Sequence, residues 1–370
     1  MLVPFLDLKR ESERYRGEIE RAIGRVLKNG WYILGPELEA LEREFAAYLK
    51  VPFAAGVGSG TDALALALEA AESIHPGKNE EVITTALSAA FTALAICQAG
   101  AVPRFVDIDP VTLQIDPCLI ERSIGERTRV ILPVHLFGHA CDIHRIGELA
   151  RIYHLAVVED ACQAHGSRWE GERLGAMSRA AAFSFYPTKN LGALGDAGMV
   201  VTHDEGLQLR VKKLRHGGQG KTYHHELLGG NSRLDEIQAA VLRCKLERLE
   251  DRNAVRRALA ARYDEAFADL DLALLPVDRA LLPNRHLYPV RSPRREEMRR
   301  YLKEHGIETL VHYPTPLPFQ PALKQFVLPG QQFPVAEKAA REIFSLPLYP
   351  ELTEQEFQYT VETVRRFFRS

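Results

Sequence analysis

The residues best placed to do chemistry are a lysine and an acidic pair, each at the end of an apolar run. Lys189 follows the β-like stretch from Ala181 to Tyr186 and the turn residues Pro187 and Thr188, and Gly192, Gly195 and Gly198 come after it. A lysine after a buried strand is costly unless its charge is shed, paired or used. The glycines let the backbone bend tightly or approach another group. Ser184, five residues upstream, can face the same ligand. In LAVVEDACQAHG an apolar strand runs straight into Glu159 and Asp160. Strand alternation sends these two carboxylates to opposite faces, so only one need enter a site. His165 reads as a hydrogen-bonded structural histidine. Together with Glu159 and Asp160 it makes no metal site, for want of a fourth ligand at a recognisable spacing.

A third segment, AAGVGSGTDALALAL, places Gly56, Gly58 and Gly60 before a helix that starts at Thr61 and Asp62. Bare N–H groups at a helix start, with the hydroxyls of Ser59 and Thr61, make a phosphate cradle. The spacing is not the G-x-G-x-x-G of a dinucleotide fingerprint, which disfavours a nicotinamide enzyme. Each feature has an ordinary alternative: a capped strand–helix turn, a capping aspartate, a surface lysine. As a set they meet the needs of pyridoxal 5′-phosphate, namely a lysine for the Schiff base, a carboxylate for the ring nitrogen and an anion site.

These segments require a scaffold that brings strand ends to one edge. Short apolar runs (FAAGVG, EVITT, PRFVDID, RVILPVHLFG, LAVVED) alternate with helical patterns, which implies βαβ units and a mainly parallel sheet with helices on both faces. In such sheets ligands sit beyond the carboxyl ends of the strands. Residues 11–28 and 36–49 read as amphipathic helices separated by GWYILGP. One long helical pattern runs from Ser232 to about Leu270. Beyond it LALLPV, HLYPVRS and ETLVHYP read as strands, with PRREEMRRYLKEHG and PVAEKAAREIFSL as helices. The expected fold class is α/β: a three-layer large domain over residues 1–250, with an N-terminal helical segment, and a smaller C-terminal α+β domain over 251–370.

Composition narrows the function classes. With 370 residues, 46% hydrophobic and 26% charged, the chain has the make-up of an ordinary globular protein. A net charge of −2 gives no field for nucleic acid or an anionic membrane. Five scattered cysteines without a CxxC pair point to reduced thiols in a cytoplasmic protein. The N-terminus does not read as a signal peptide. The uncharged run from Val82 to Pro103 is rich in Ala, Thr and Ser, and reads as a buried strand and helix, not a membrane span.

With these residues in view, the chain resembles the DegT family of nucleotide-sugar aminotransferases, fold type I pyridoxal phosphate enzymes. The likeness rests on GWYILGPELEALEREFAAYL, GSGTDALALAL, FVDIDP, ILPVHLFG, VVEDACQAHGS, FSFYPTKNLGALGDAGMVVT, NSRLDEIQAAVLR and HYPTPLPFQPA, and spans nearly the whole chain. By that resemblance Lys189 is the Schiff-base lysine, Asp160 the pyridine-nitrogen carboxylate, and Gln163 the glutamine beside the ring hydroxyl. Gly60, Thr61 and Ser184 are phosphate ligands of the same subunit. Asn231 reaches the phosphate of the neighbouring subunit's cofactor, which implies a homodimer with shared active sites. Tyr186, Tyr223, His312 and Tyr313 are candidate contacts to the sugar nucleotide.

Two positions depart from the family pattern. Ala89 stands where relatives carry an aromatic over the cofactor ring, with Phe91 two residues on, and Pro318 replaces a histidine. The implied reaction is ping-pong transamination from glutamate to a keto-sugar nucleotide, with dTDP-linked 3-keto-6-deoxyhexoses favoured over 4-keto or UDP-linked sugars. Related dehydratases carry histidine at the lysine position, so Lys189 argues against dehydration. A non-catalytic regulatory protein of the same fold is the alternative from another class.

Overall fold

The structure, a computed structural model, describes residues 1–369 apart from 72, 75 and 76. Three helices come first, α1 (Leu8–Arg14), α2 (Arg16–Asn29) and α3 (Pro36–Leu49). Where the pattern reads one helix over 11–28, two helices meet at Tyr15. Helix α3 has no side-chain cap of its own at Gly35. Its free N–H groups at Gly35, Glu37 and Leu38 donate instead to the buried Glu236 carboxylate, at 2.9–3.0 Å. A carboxylate at a helix N-terminus satisfies orphan donors and the macrodipole together. It ties the GWYILGP loop to a helix two hundred residues away.

The alternating region then unfolds as expected. It runs β1 (Phe53–Val57), α4 (Gly60–Ala70), β2 (Glu81–Thr85), α5 (Ala90–Gln98), β3 (Val102–Val106), α6 (Pro117–Ser123), β4 (Thr128–Leu132), α7 (Ile143–Ile152) and β5 (Ala156–Asp160). A two-residue hairpin, β6 (Arg168–Trp169) and β7 (Glu172–Arg173), precedes β8 (Ala180–Ser184), β9 (Gly198–Thr202) and α8 (Glu205–Leu214). The seven-stranded sheet has the order β1-β9-β8-β5-β4-β2-β3, in which only β9 runs against the rest. Alternation divides its side chains between layers. Val158, Ala182 and Val200 face the core formed with α4, α5 and α8. Ala181, Phe183, Val201 and Val157 face the opposite layers, which contain α3 and α7.

After the hairpin β10 (Gln219–Lys221) and β11 (His224–His225) come α9 (Glu236–Leu246) and α10 (Leu249–Phe267), so the long pattern from Ser232 is two helices. The C-terminal part adds β12 (Ala273–Leu274), β13 (Leu281–Leu282), β14 (Tyr288–Arg291), α11 (Arg295–Glu304), α12 (Pro334–Glu342), β15 (Ile343–Leu346) and α13 (Glu354–Phe367). Strands β12, β14 and β15 form an antiparallel sheet over a core that includes Tyr263, Phe267, Phe344 and Phe357. Val3 belongs to this core too and bridges to Ile307, so the chain's first residues pack with its last hundred.

Two readings change here. ETLVHYP is no strand but contributes a single bridge, Leu310 to Ser345. IFSL leaves the helix and becomes β15, since all four side chains are buried, which suits a sheet position better than one face of a helix. Helix α13, held by a Thr353–Glu356 capping box, was not singled out from sequence. Among the described residues no helix is long and apolar enough to cross a membrane.

Candidate active site

Topology alone brings the strand-end residues together. Because β1, β5 and β8 are parallel, Val57, Asp160 and Ser184 end at one edge. The reversed strand β9 enters there at Gly198, opposite both Val57 and Ser184. The packing is as tight as the glycines suggest. A Cβ on Gly60 would lie 2.5 Å from Ser184 Cβ, and one on Gly198 would lie 2.2 Å from the Ser59 carbonyl. The first turn of α4 is thereby pressed against the end of β8. Ser59 is the helix cap, its Oγ accepting from Asp62 N at 3.1 Å, which leaves its O–H free to donate at the same edge. Gly60 N–H, the half-buried Thr61 and Ser184 Oγ remain at this edge. Ser232 supports the same turn by accepting from Gly58 N at 3.0 Å and donating to Asp62 Oδ2 at 2.8 Å.

Asp160 is 4% exposed. Its Oδ2 accepts from Thr92 Oγ1 at 2.8 Å and its Oδ1 from Cys162 N at 3.1 Å. Thr92 in turn meets Ser88 Oγ at 3.0 Å. Glu159 turns the other way, as alternation requires, and pairs with the fully buried His135 at 2.8 Å. Gln163 accepts from Phe137 N at 2.6 Å and donates to Tyr313 Oη at 3.1 Å, which links the sheet edge to the C-terminal part. His165 is structural, its buried ring packed on Phe183 and Phe185 beside the Ser184 backbone. Burial, reinforced by Lys189, lowers its pKa to about 3.

A cavity of about 670 Å³ opens between the sheet edge and the C-terminal part, lined by Gln163, Lys189, Arg256, His286, His312 and Tyr313 among others. Lys189 is half-buried at its base, and desolvation lowers its pKa while Cys162 and Asp160 act in the opposite direction. An amine so placed spends more time uncharged and nucleophilic. Burial and Lys189 bring His312 down to about 4. Burial lifts Tyr313 to about 12, with Gln163 opposing and Asp160 adding. Tyr186, Tyr223 and Asn231 are exposed and do not line this cavity, and neither does Phe91. Ala89 caps α5, and Pro318 is buried in a 3₁₀ turn.

Residues that sequence reasoning missed form a buried amide cluster behind the lysine. Asn190 Nδ2 donates to Asn253 Oδ1 at 2.8 Å and to the Asn284 carbonyl at 3.1 Å, and Asn190 Oδ1 meets His286 Nδ1 at 3.0 Å. Asn284 Nδ2 donates to the Gln163 carbonyl at 2.9 Å. The cluster thus fixes Lys189 and Gln163 to α10 and to the lead-in of β14. Its only sequence signal is an Asn directly after the lysine.

A nucleophilic lysine, a strand-end carboxylate on an α/β sheet and a tight helix-start cradle define a pyridoxal-phosphate transferase of fold type I. Residues 13–365 match the DegT/DnrJ/EryC1/StrS aminotransferase family, and the chain belongs to it. It is 47% identical over 366 residues to a dTDP-3-amino-3,4,6-trideoxy-alpha-D-glucose transaminase of Streptomyces venezuelae, covering 99% of this chain and 96% of that protein. It is 44% identical over 374 residues to a pleiotropic regulatory protein of Geobacillus stearothermophilus, covering 100% and 99%. Among solved structures, that of DesV from S. venezuelae in complex with a ketimine intermediate superposes with a TM-score of 0.97 at 45% identity, covering 100% and 99%. Structures of further members carry the cofactor in its pyridoxal or pyridoxamine form. The chain is a pyridoxal-phosphate-dependent aminotransferase, and the site fits that cofactor. A cradle that would admit no Cβ at Gly60 lies beside Ser184, and a buried carboxylate with spare acceptor capacity shares the edge with a desolvated lysine.

Proposed function

We propose that the chain moves an amino group from glutamate to C3 of a dTDP-linked 3-keto-6-deoxyhexose in deoxyamino-sugar biosynthesis. The observation that carries this reading is Lys189, desolvated at the base of a cavity beside Asp160, in a chain whose close relatives include a named dTDP-3-amino-sugar transaminase. Bound pyridoxal phosphate supplies an electron sink for the carbanion left when an α-proton is removed. The chain's residues do the rest. Lys189 anchors the cofactor and, once displaced by the donor amine, moves the proton at Nζ. Asp160 keeps the ring nitrogen protonated. Gln163 holds the ring hydroxyl, and Gly60, Thr61 and Ser184 hold the phosphate. Tyr186, Tyr223, His312 and Tyr313 contact the nucleotide sugar.

The same reading includes a homodimer in which Asn231 reaches the partner's cofactor phosphate. Large apolar side chains stand exposed on the surface, with Tyr223 at 89% and Leu228 at 98%, besides Trp31, Phe91 and Tyr186. Exposed apolar surface of this kind marks an interface, and a second copy placed there would bring these residues to the cavity. We retain a division near residue 250 between the large and small domains, with the first few residues crossing to the small one. The unpaired cysteines of the described chain suit a cytoplasmic enzyme.

The test is spectroscopic. Protein loaded with cofactor is expected to show a visible band that glutamate bleaches and a dTDP-3-keto sugar restores. Recovery only with 4-keto or UDP-linked sugars would move the substrate assignment. A colourless protein that binds no pyridoxal phosphate would favour a regulatory role instead.

A further inference from the structure

His286 is a buried, titratable group in the cavity with no part in the chemistry above. It is 7% exposed and lines the cavity with Lys189, His312 and Tyr313. Its two ring nitrogens are not equivalent. Asn253 Nδ2 donates to the His165 carbonyl at 2.8 Å, so Asn253 Oδ1 is an acceptor. Asn190 therefore turns its Nδ2 toward Asn253 Oδ1 and the Asn284 carbonyl, and its Oδ1 toward His286. An amide oxygen only accepts, so His286 Nδ1 carries the hydrogen in that 3.0 Å contact. The neutral ring then has a bare lone pair on Nε2, which no group of the described residues bonds. Burial opposes charging of the ring, and so do Lys189 and Arg256, with His165 and His312 facing it as well.

We infer that His286 is a substrate-binding residue whose Nε2 accepts a hydrogen bond from a hydroxyl of the acceptor sugar. This rests on the functional reading above. Of the two substrates, an amino acid offers carboxylates, which are acceptors and would meet the lone pair with another lone pair. Its one donor group is consumed by the reaction. A ketohexose carries hydroxyls, each an available donor. Arg256 and Arg299, in the same cavity, are the groups suited to carboxylates. The amide cluster thus sets the histidine tautomer that the sugar meets, in the way outer partners orient other site histidines.

Three enzymes decide it: the wild type, His286→Leu, which removes the acceptor, and His286→Gln, which returns an oxygen near the Nε2 position. The two half-reactions are followed separately, and the aminated dTDP sugar is titrated by calorimetry. His286→Leu is expected to lose about 10–100-fold in kcat/KM of the sugar half-reaction, with much of it recovered by His286→Gln. The glutamate half-reaction should change far less. Equal losses in both halves would overturn the inference, leaving His286 as a support for Asn190 and Lys189. A loss confined to the glutamate half, or a tolerated leucine, would overturn it too.

If the leucine variant fails to fold, deoxy analogues of the sugar read the same contact. One deletion should cost the wild type a similar factor and cost His286→Gln a different one, and deletions that are all neutral would contradict the contact. Should the wild type convert no keto-sugar nucleotide, the functional reading falls by itself. Calorimetry still judges the contact, since equal affinity of wild type and His286→Leu for the aminated sugar refutes it.

Discussion

Glu159 and Asp160 are adjacent carboxylates at the end of one strand, both buried, yet the protein treats them oppositely. Glu159 is enclosed by donors: His135 at 2.8 Å, Gly175 N at 2.8 Å and Met177 N at 3.2 Å. Burial resists the Glu159 charge, but these donors hold its pKa below the usual carboxylate value, and His135, whose Nδ1 accepts from Cys141 N, is a neutral ring that donates from Nε2 to Glu159. Asp160 receives Thr92 Oγ1, Cys162 N and the Cys162 thiol, fewer donors than a carboxylate's roughly four lone-pair sites can take. A buried acid whose lone pairs are filled by protein belongs to the fold. One left short at the sheet edge, beside a desolvated lysine, has acceptor capacity to spare. The pleat makes this division of labour possible, because neighbouring residues on a strand face different layers.

The contrast can be broken from either side. The largest expected effect is at the ligand side: Lys189→Ala should abolish transamination, by about 10⁴-fold or more in turnover, and lose the visible cofactor band with little change in melting. On the structural side, Glu159→Gln replaces a buried carboxylate faced by three donors with an amide whose NH₂ must confront one of them, and should cost about 2 kcal/mol of stability in urea unfolding. The pH dependence follows from the Glu159 shift. Its pKa is lowered, so its contribution is complete above the unfolded value of 4.5 and is lost as pH falls. The stability gap between wild type and Glu159→Gln should therefore be full above pH 4.5 and shrink in acid.

Smaller effects sharpen the picture. Gly60→Ala drives a methyl into Ser184 and should weaken cofactor binding by about 10–100-fold in a titration of the apoenzyme. Thr92→Val removes the hydroxyl donor to Asp160 Oδ2. It should slow the glutamate half-reaction by about 3–10-fold, with Thr92→Ser restoring it.

Much of this was open to sequence reading where the logic is local. The strand–helix alternation, the turn before Lys189 and the opposite facing of Glu159 and Asp160 all follow from periodicity within a dozen residues. The buried amide cluster did not, because Asn190 finds its partners 63 and 94 positions away. The cap at Ser59 was one of two readings the residue types allow, because a helix cap and an anion cradle draw on the same ones. ETLVHYP carries a strand-like composition, yet its backbone pairs at a single bridge and gives its His312 and Tyr313 to the cavity instead. The two-residue strands β6, β7, β11, β12 and β13 are too short to have a period at all.

The most direct measurement compares Asp160→Asn with Glu159→Gln, recording for each the rate at which glutamate bleaches the cofactor band and the free energy of unfolding. The account predicts a crossed result. Asp160→Asn should lose at least about 100-fold in rate while unfolding near the wild-type midpoint, and Glu159→Gln should keep its rate within a few-fold while losing stability. Two variants that lose rate and stability together, or the reverse assignment, would contradict it.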